Sequence, residues 1–266
     1  MSSFDGKVVI VTGSSSGIGQ AAAELFASKG ASVVIHGQNE ERLKNTLEVL
    51  KQAGVGDSRV LVVRGSIEQE DTRKQLIDET IKKFGKLDIL VNNAACSQKP
   101  GLVPNSVENL DYLFQTNLRS VYDLTDRALP HLQKTKGNVV NVSSVGAQKV
   151  FTENMPYVIL KAALDHYTRN LAIKMAAEEV RINTVSPGAT DTNFMHTSGM
   201  KPEQLEQISC VQYYADNVIP VHRFASSKEV AEVIAFVASE QASYVTGSTY
   251  VVDGGVSLGT PQPKHR

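Results

Sequence analysis

Short apolar runs rich in valine and isoleucine alternate along the chain with longer stretches in which apolar positions return every three or four residues. The first run, Val8, Val9, Ile10 and Val11, is too short for a helix and suits a strand covered on both faces. Beyond it Ile18, Ala21, Ala22, Leu25 and Phe26 recur at helical spacing and stop at Lys29 and Gly30, a good helix end. Further strands are predicted at 32–36, 60–64, 87–92, 138–143, 181–185 and 249–253. Helical patterns fill the gaps at 40–53, 69–84, 107–133, 156–177 and 228–238. This alternation predicts an α/β fold, a doubly wound domain with a seven-stranded, mostly parallel sheet and helices on both faces. A ligand is then expected at the carboxyl ends of the strands, where their order reverses.

One long stretch, 189–227, breaks the alternation and carries only a helical piece near 203–214. Irregular segments of this length are usually functional lids. Its Phe194, Met195, Met200, Leu205, Ile208, Tyr213, Tyr214 and Ile219 could line an apolar pocket, a satellite core or a subunit contact. Residues 1–258 are read as one domain and 259–266 as a loose tail.

Composition removes several classes of function. In 266 residues, 27 basic and 28 acidic side chains nearly cancel, and no single-sign run stands out, so neither nucleic acid nor a membrane surface is expected as a partner. No apolar segment reaches the length of a membrane span and the first residues lack an apolar signal core, which points to the cytoplasm. Only Cys96 and Cys210 are present, giving at most one disulfide and more readily two free thiols. Six scattered histidines show no ligand spacing, so no catalytic metal is expected.

The residues that carry chemistry lie at the strand ends. Thr12, Gly13, Ser14, Ser15, Ser16, Gly17, Ile18 and Gly19 turn the first strand into a helix, whose free N–H groups would meet an anion such as a dinucleotide pyrophosphate. Glycines at 13, 17 and 19 depart from the G-x-G-x-x-G spacing, so the turn alone is weak evidence. Asn92, Asn93, Ala94 and Ala95 end another strand, Asn117 interrupts an apolar helical run, and Ser143 and Ser144 end a third strand. Tyr157 and Lys161, four apart, share a helix face. A phenol with a pKa near ~10 exchanges protons poorly at neutral pH unless a nearby cation favours the phenolate, and Lys161 could be that cation. Hydride reduction of a ketone leaves an alkoxide that needs such a proton, and Ser144 could polarise the carbonyl.

Together these residues, with Pro187 and Gly188 and the closing Val252, Asp253, Gly254 and Gly255, resemble the short-chain dehydrogenase/reductase family over nearly the whole chain. The resemblance implies a Rossmann-like fold and an NAD(P)-dependent oxidoreductase that interconverts a carbonyl and a secondary alcohol. It implies Tyr157 as acid/base, Lys161 lowering its pKa and holding the nicotinamide ribose, Ser144 orienting the carbonyl and Asn117 anchoring a water relay. Cofactor contacts are expected from Gly13, Ser15, Ser16, Gly17, Ile18, Gly19, Gln38, Asn39, Ser66, Ile67, Asn93, Ala94, Ala95, Thr116, Tyr157, Lys161, Pro187, Gly188, Thr190 and Thr192. Ala95 replaces a usual glycine, Ser66 a frequent aspartate, and Val158, Ile159 and Leu160 are bulkier than usual.

Cofactor choice is read after the second strand. Position 37 is glycine, so no carboxylate there repels a 2′-phosphate, although Gln38 and Ser16 stand where bases are common. NADP(H) is expected as the preferred cofactor, with NAD(H) left open and Arg42 a possible helper; Gly37→Asp should then shift preference toward NAD(H). The substrate is expected to be a small, partly apolar carbonyl or alcohol, and family resemblance implies a homo-oligomer, dimer or tetramer. Two alternatives stay open: a catalytically silent NADP(H)-binding sensor or scaffold, and a reductase of acyl-thioester substrates.

Overall fold

A computed structural model describes residues 4–192 and 215–260. In chain order it has β1 (Val8–Val11), α1 (Gly17–Ser28), β2 (Ser32–Gly37), α2 (Glu40–Gln52), β3 (Val60–Arg64), α3 (Glu70–Phe84) and β4 (Ile89–Asn92). There follow α4 (Val107–Phe114), α5 (Ser120–Thr135), β5 (Asn138–Val142), α6 (Met155–Met175), β6 (Arg181–Pro187), β7 (Thr190–Asp191), β8 (Ala225–Ser226), α7 (Ser227–Ala238) and β9 (Thr249–Val252). Seven strands form one sheet in the order β3-β2-β1-β4-β5-β6-β9, and each ladder in it is parallel. Because β1 lies between β2 and β4, the winding reverses there, and the crevice at the carboxyl ends of β1 and β4 is the natural ligand site of such a sheet.

Alternation along each strand builds two cores. Val9 and Val11 of β1 face a layer with Phe26 of α1, Leu43 of α2 and Ile234 of α7. Ile10, between them, faces the opposite layer with Leu76 of α3, Leu124 and Leu132 of α5 and Leu171 of α6. Strands buried on both faces need continuous apolar runs, which is why the valine-rich segments carry so little period-two signal.

Polar side chains cross the sheet in one buried chain. Asn92 Nδ2 donates to Asn141 Oδ1 (2.8 Å), Asn141 Nδ2 to Thr168 Oγ1 (2.8 Å), and Thr184 Oγ1 to Thr168 Oγ1 (3.0 Å). These bonds tie β4, β5 and β6 to α6, the helix that carries Tyr157 and Lys161. Removing one member would leave a buried partner unsatisfied, at a cost of about 1–3 kcal/mol.

Most predicted boundaries agree within a residue or two. The helix predicted over 107–133 is not continuous: a π-helical turn, Gln115–Arg119, separates α4 from α5. Asn117 lies in this turn, and its side chain bonds the backbone of Cys96. Within the expected lid, the flanks pair as a small parallel ladder of β7 with β8, and Ile219 is buried. The helical piece near 203–214, the apolar residues from Phe194 to Tyr214 and Cys210 lie outside the described residues. No helix among the described residues is long and apolar enough to cross a membrane.

Candidate active site

The glycine turn is held from two sides. Gly13 and Gly17 adopt φ of +66° and +58°, the left-handed region that side chains disfavour. Asn93 Nδ2 donates to the carbonyls of Thr12 (2.9 Å) and Gly13 (3.2 Å), while Thr12 Oγ1 accepts from the amides of Asn93 and Ala94, both at 3.0 Å. Ser16 is the N-cap of α1 in extended conformation and its side chain makes no capping bond, which leaves the first-turn amides to an anion. Gly19 is required by close approach: a Cβ there would sit 2.4 Å from both Asn93 Nδ2 and the Gly13 carbonyl. We expect Gly19→Ala to weaken dinucleotide binding by about 5- to 100-fold, the equivalent of overpacking by about 1–3 kcal/mol. Fluorescence titration with NADPH checks this, and an unchanged Kd would refute it.

The same cradle fits the adenosine half of a dinucleotide. A Cβ on Gly37 would lie 2.8 Å from Ser15 Oγ, so the Ser15 hydroxyl fills the space where a carboxylate on residue 37 would start. Asn39 is the N-cap of α2 and its Oδ1 accepts from the Arg42 amide at 2.9 Å, so only its NH₂ remains as a donor toward a cofactor. Ser66 Oγ accepts from the Glu68 amide, and Ile67 is buried beside it. That loop is fixed by Arg73, a buried residue that the sequence reading passed over. Its guanidinium donates to the carbonyls of Ile67 (2.7 Å) and Glu68 (2.8 Å) and to Asp123 Oδ2 (2.5 Å).

The four candidate catalytic residues come from three elements. Asn117, in the π-turn, accepts from the Cys96 amide through Oδ1 (3.0 Å) and donates to the Cys96 carbonyl through Nδ2 (2.7 Å), with Cys96 Sγ 4.0 Å from the same Oδ1. Ser144 follows β5, and its Oγ accepts from the Gly146 amide at 3.1 Å. Lys161 Nζ donates to the Val142 carbonyl (2.8 Å) and lies 5.7 Å from the centroid of the Tyr157 ring. Cys96 is held by Asn117 through both of its backbone groups.

Burial dominates the protonation of this group. It pushes the Tyr157 phenol up to about 12, against a downward pull from the Ser144 hydrogen bond. It pulls the Lys161 ammonium down to about 8, with Asp165 opposing, and raises the Cys96 thiol to about 11. Expectation placed Lys161 as the group that draws the phenol down. In this structure burial is the largest influence on the phenol, and the Ser144 hydroxyl opposes it. Asp165, one turn beyond Lys161, is itself raised by burial and was not picked out from the sequence.

Other expected cofactor residues are arranged unevenly. Pro187 ends β6, and Gly188 follows with its amide on the Val252 carbonyl (2.9 Å), packed so closely that a Cβ would meet Asp253 at 2.8 Å. Thr192 lies against Gly17, its Cγ2 3.2 Å from where a Cβ would be, which brings the end of β7 over the glycine turn. Thr190 Oγ1 donates to the Gly188 carbonyl (3.1 Å). The Thr116 hydroxyl is engaged within the protein, on Glu68 Oε1 (3.0 Å) and the Tyr112 carbonyl (3.1 Å).

Comparison with known proteins identifies the family. A family model described as enoyl-(acyl carrier protein) reductase matches residues 13–257. The 3-oxoacyl-[acyl-carrier-protein] reductase of Thermotoga maritima is 33% identical over 257 residues, covering 96% of this chain and 99% of that protein. A short-chain dehydrogenase/reductase of unknown function from Caenorhabditis elegans, solved with cofactor, superposes with a TM-score of 0.91 at 37% identity, covering 96% of each chain. L-sorbose reductase from Gluconobacter frateurii, solved with NADPH and L-sorbose, gives a TM-score of 0.87 at 29% identity, over 97% of this chain and 98% of that one. The chain therefore belongs to the short-chain dehydrogenase/reductase family, and is a nicotinamide-dinucleotide-dependent oxidoreductase acting between CH–OH and C=O.

Proposed function

We propose that the protein interconverts a small, partly apolar ketone and its secondary alcohol with NADP(H), using Tyr157 as the proton donor and acceptor. The observation that carries this reading is the meeting of Tyr157 with the Ser144 hydroxyl and with the Lys161 ammonium, 5.7 Å from its ring, while Asn117 bonds the backbone of Cys96 after β4. The bound nicotinamide would supply or accept the hydride. Ser144 accepts from Gly146, and its hydroxyl, which faces the Tyr157 phenol, would turn its proton to a carbonyl oxygen when substrate enters. Tyr157, protonated at neutral pH, gives its proton to the oxygen that gains charge, and the Lys161 ammonium beside the ring stabilises the phenolate left behind. Asn117, held by both of its bonds to Cys96, anchors the return of a proton through water.

NADP(H) is supported by the absence of a carboxylate at the end of β2 and by the Ser15 hydroxyl lying over Gly37. The NADPH bound by the sorbose reductase points the same way. Gly37→Asp is a poor test of this choice, because its Cβ would press on Ser15 at 2.8 Å and disturb the turn itself. An acyl-thioester substrate is the second reading, favoured by the enoyl- and 3-oxoacyl-carrier names among the relatives.

The test is reduction of ketones, dicarbonyls, quinones and acyl thioesters with NADPH and with NADH. Turnover of a ketone with NADPH favoured is the expected result. Turnover of thioesters alone would replace it by the second reading, and tight NADPH binding without any turnover would favour a sensor.

A further inference from the structure

We infer that Arg64, at the carboxyl end of β3, is the cation that receives the 2′-phosphate of NADP(H), and that Glu40 holds it in place. The inference rests on the NADP(H) reading above and names the residue that makes it electrostatically workable. Between Gly13 and Gly19 there is no basic side chain, and Gln38 and Asn39, which follow β2, are neutral. A dianionic group would therefore meet only hydroxyls and amides from the segments that line the adenosine ribose.

The β2–β3 ladder supplies what those segments lack. Its parallel register sets Gly37 beside Arg64, although 27 positions separate them in the chain. Arg64 Nε donates to the Gln38 carbonyl at 3.3 Å and Nη1 to the Glu40 carboxylate. The guanidinium thus bridges Gln38 and Glu40 beside Gly37, and the Ser15 hydroxyl lies over the same glycine. Two anchored contacts fix the plane of the group while Nη2 stays available, and a planar fork matches a phosphate face.

The charge balance favours an anion as well. Glu40 is shared, pairing with Lys44 at 2.8 Å as well as with Arg64, and both cations hold its carboxyl below the usual range. One carboxylate against two cations leaves a net positive corner. As an exposed pair Arg64–Glu40 contributes little to stability, so its consequence is the placement of the guanidinium. Glu40 orients Arg64, yet its own charge opposes a phosphate. That gives the inference a signed prediction for each partner.

The experiment is calorimetric titration of the full chain with NADPH, NADH, 2′,5′-ADP and 5′-AMP, for the parent, Arg64→Gln, Glu40→Gln, the double variant and Arg42→Gln. Arg64→Gln is expected to weaken NADPH and 2′,5′-ADP about tenfold or more, the scale of a charged hydrogen bond lost, and to leave NADH and 5′-AMP unchanged. Glu40→Gln is expected to tighten the two phosphate-bearing ligands, and the gain should shrink in the double variant, where the repulsion is lifted but no guanidinium is freed; an equal gain there would assign it to lifted repulsion or freed Lys44 and not to Arg64. If the parent prefers NADPH while Arg64→Gln binds it normally, or if Arg42→Gln alone carries the loss, the inference falls and the NADP(H) reading stands. Equal weakening of NADPH and NADH by Arg64→Gln overturns it as a general structural effect. A parent that binds NADH more tightly than NADPH overturns both.

Discussion

Tyr157→Phe is expected to lower kcat for carbonyl reduction by about 10²–10⁴-fold, the range that positioned acid catalysis supplies, while leaving dinucleotide affinity essentially unchanged. The substitution removes one oxygen and keeps the ring that sits 5.7 Å from Lys161 Nζ. Ser144 loses an interaction with the phenol but keeps its bond from Gly146, so the carbonyl-orienting hydroxyl stays in place. Stopped-flow turnover beside a binding titration separates the two quantities. Persistent turnover would require another donor and would overturn the assignment of Tyr157 as the acid. The direction of the pH dependence follows from the same burial. With the phenol raised to about 12, reduction finds its donor protonated at neutral pH, whereas alcohol oxidation needs the phenolate and should speed up as pH rises into the alkaline range.

The parts of this site that could be read from the chain were those that depend on local covalent constraint. Gly13 and Gly17 announce a turn because only glycine takes positive φ cheaply, and the valine-rich runs announce buried strands because a parallel sheet leaves no polar face. What could not be read depends on register and on single side chains competing with the backbone. Nothing in the sequence from Val107 to Thr135 gives away the π-turn, which sits where Asn117 bonds the Cys96 backbone across 21 positions. Arg64 is an ordinary charged strand end until the ladder sets it against Gly37. Arg73 carries no motif either, yet it fastens the loop bearing Ser66 and Ile67, because buried guanidinium groups must find carbonyls and carboxylates wherever the fold presents them. The four candidate catalytic residues could be named from identity and spacing. Their protonation could not, because desolvation is a property of the assembled site.

Acid should destabilise the fold through His36, and a His36→Asn variant is expected to remove that sensitivity. His36 lies in β2 beneath the glycine turn, 1% exposed, where its Nδ1 accepts from the Gly13 amide at 3.2 Å and its own amide donates to Ser14 Oγ at 2.8 Å. Burial pushes the imidazole from 6.5 down to about 4, with a weaker upward pull from the Gly65 backbone. Between those values the unfolded chain binds a proton that the native state refuses, so stability is complete above pH 6.5 and falls as pH drops through the window. The loss from this one residue amounts to about 2 kcal/mol at pH 5 and about 3 kcal/mol below pH 4. Asparagine places an oxygen near the Nδ1 position and does not titrate, so Gly13 keeps an acceptor. Urea unfolding of both proteins at pH 7 and pH 5 should show the parent losing about 2 kcal/mol more than the variant. Equal losses would mean that His36 is protonated without disturbing the turn. Because protonation would set an N–H against the Gly13 N–H, the native parent should also lose dinucleotide affinity as pH falls through about 4, where the folded ring takes up its proton, while His36→Asn holds it, which links a buried ring in β2 to the phosphate-binding corner of β1.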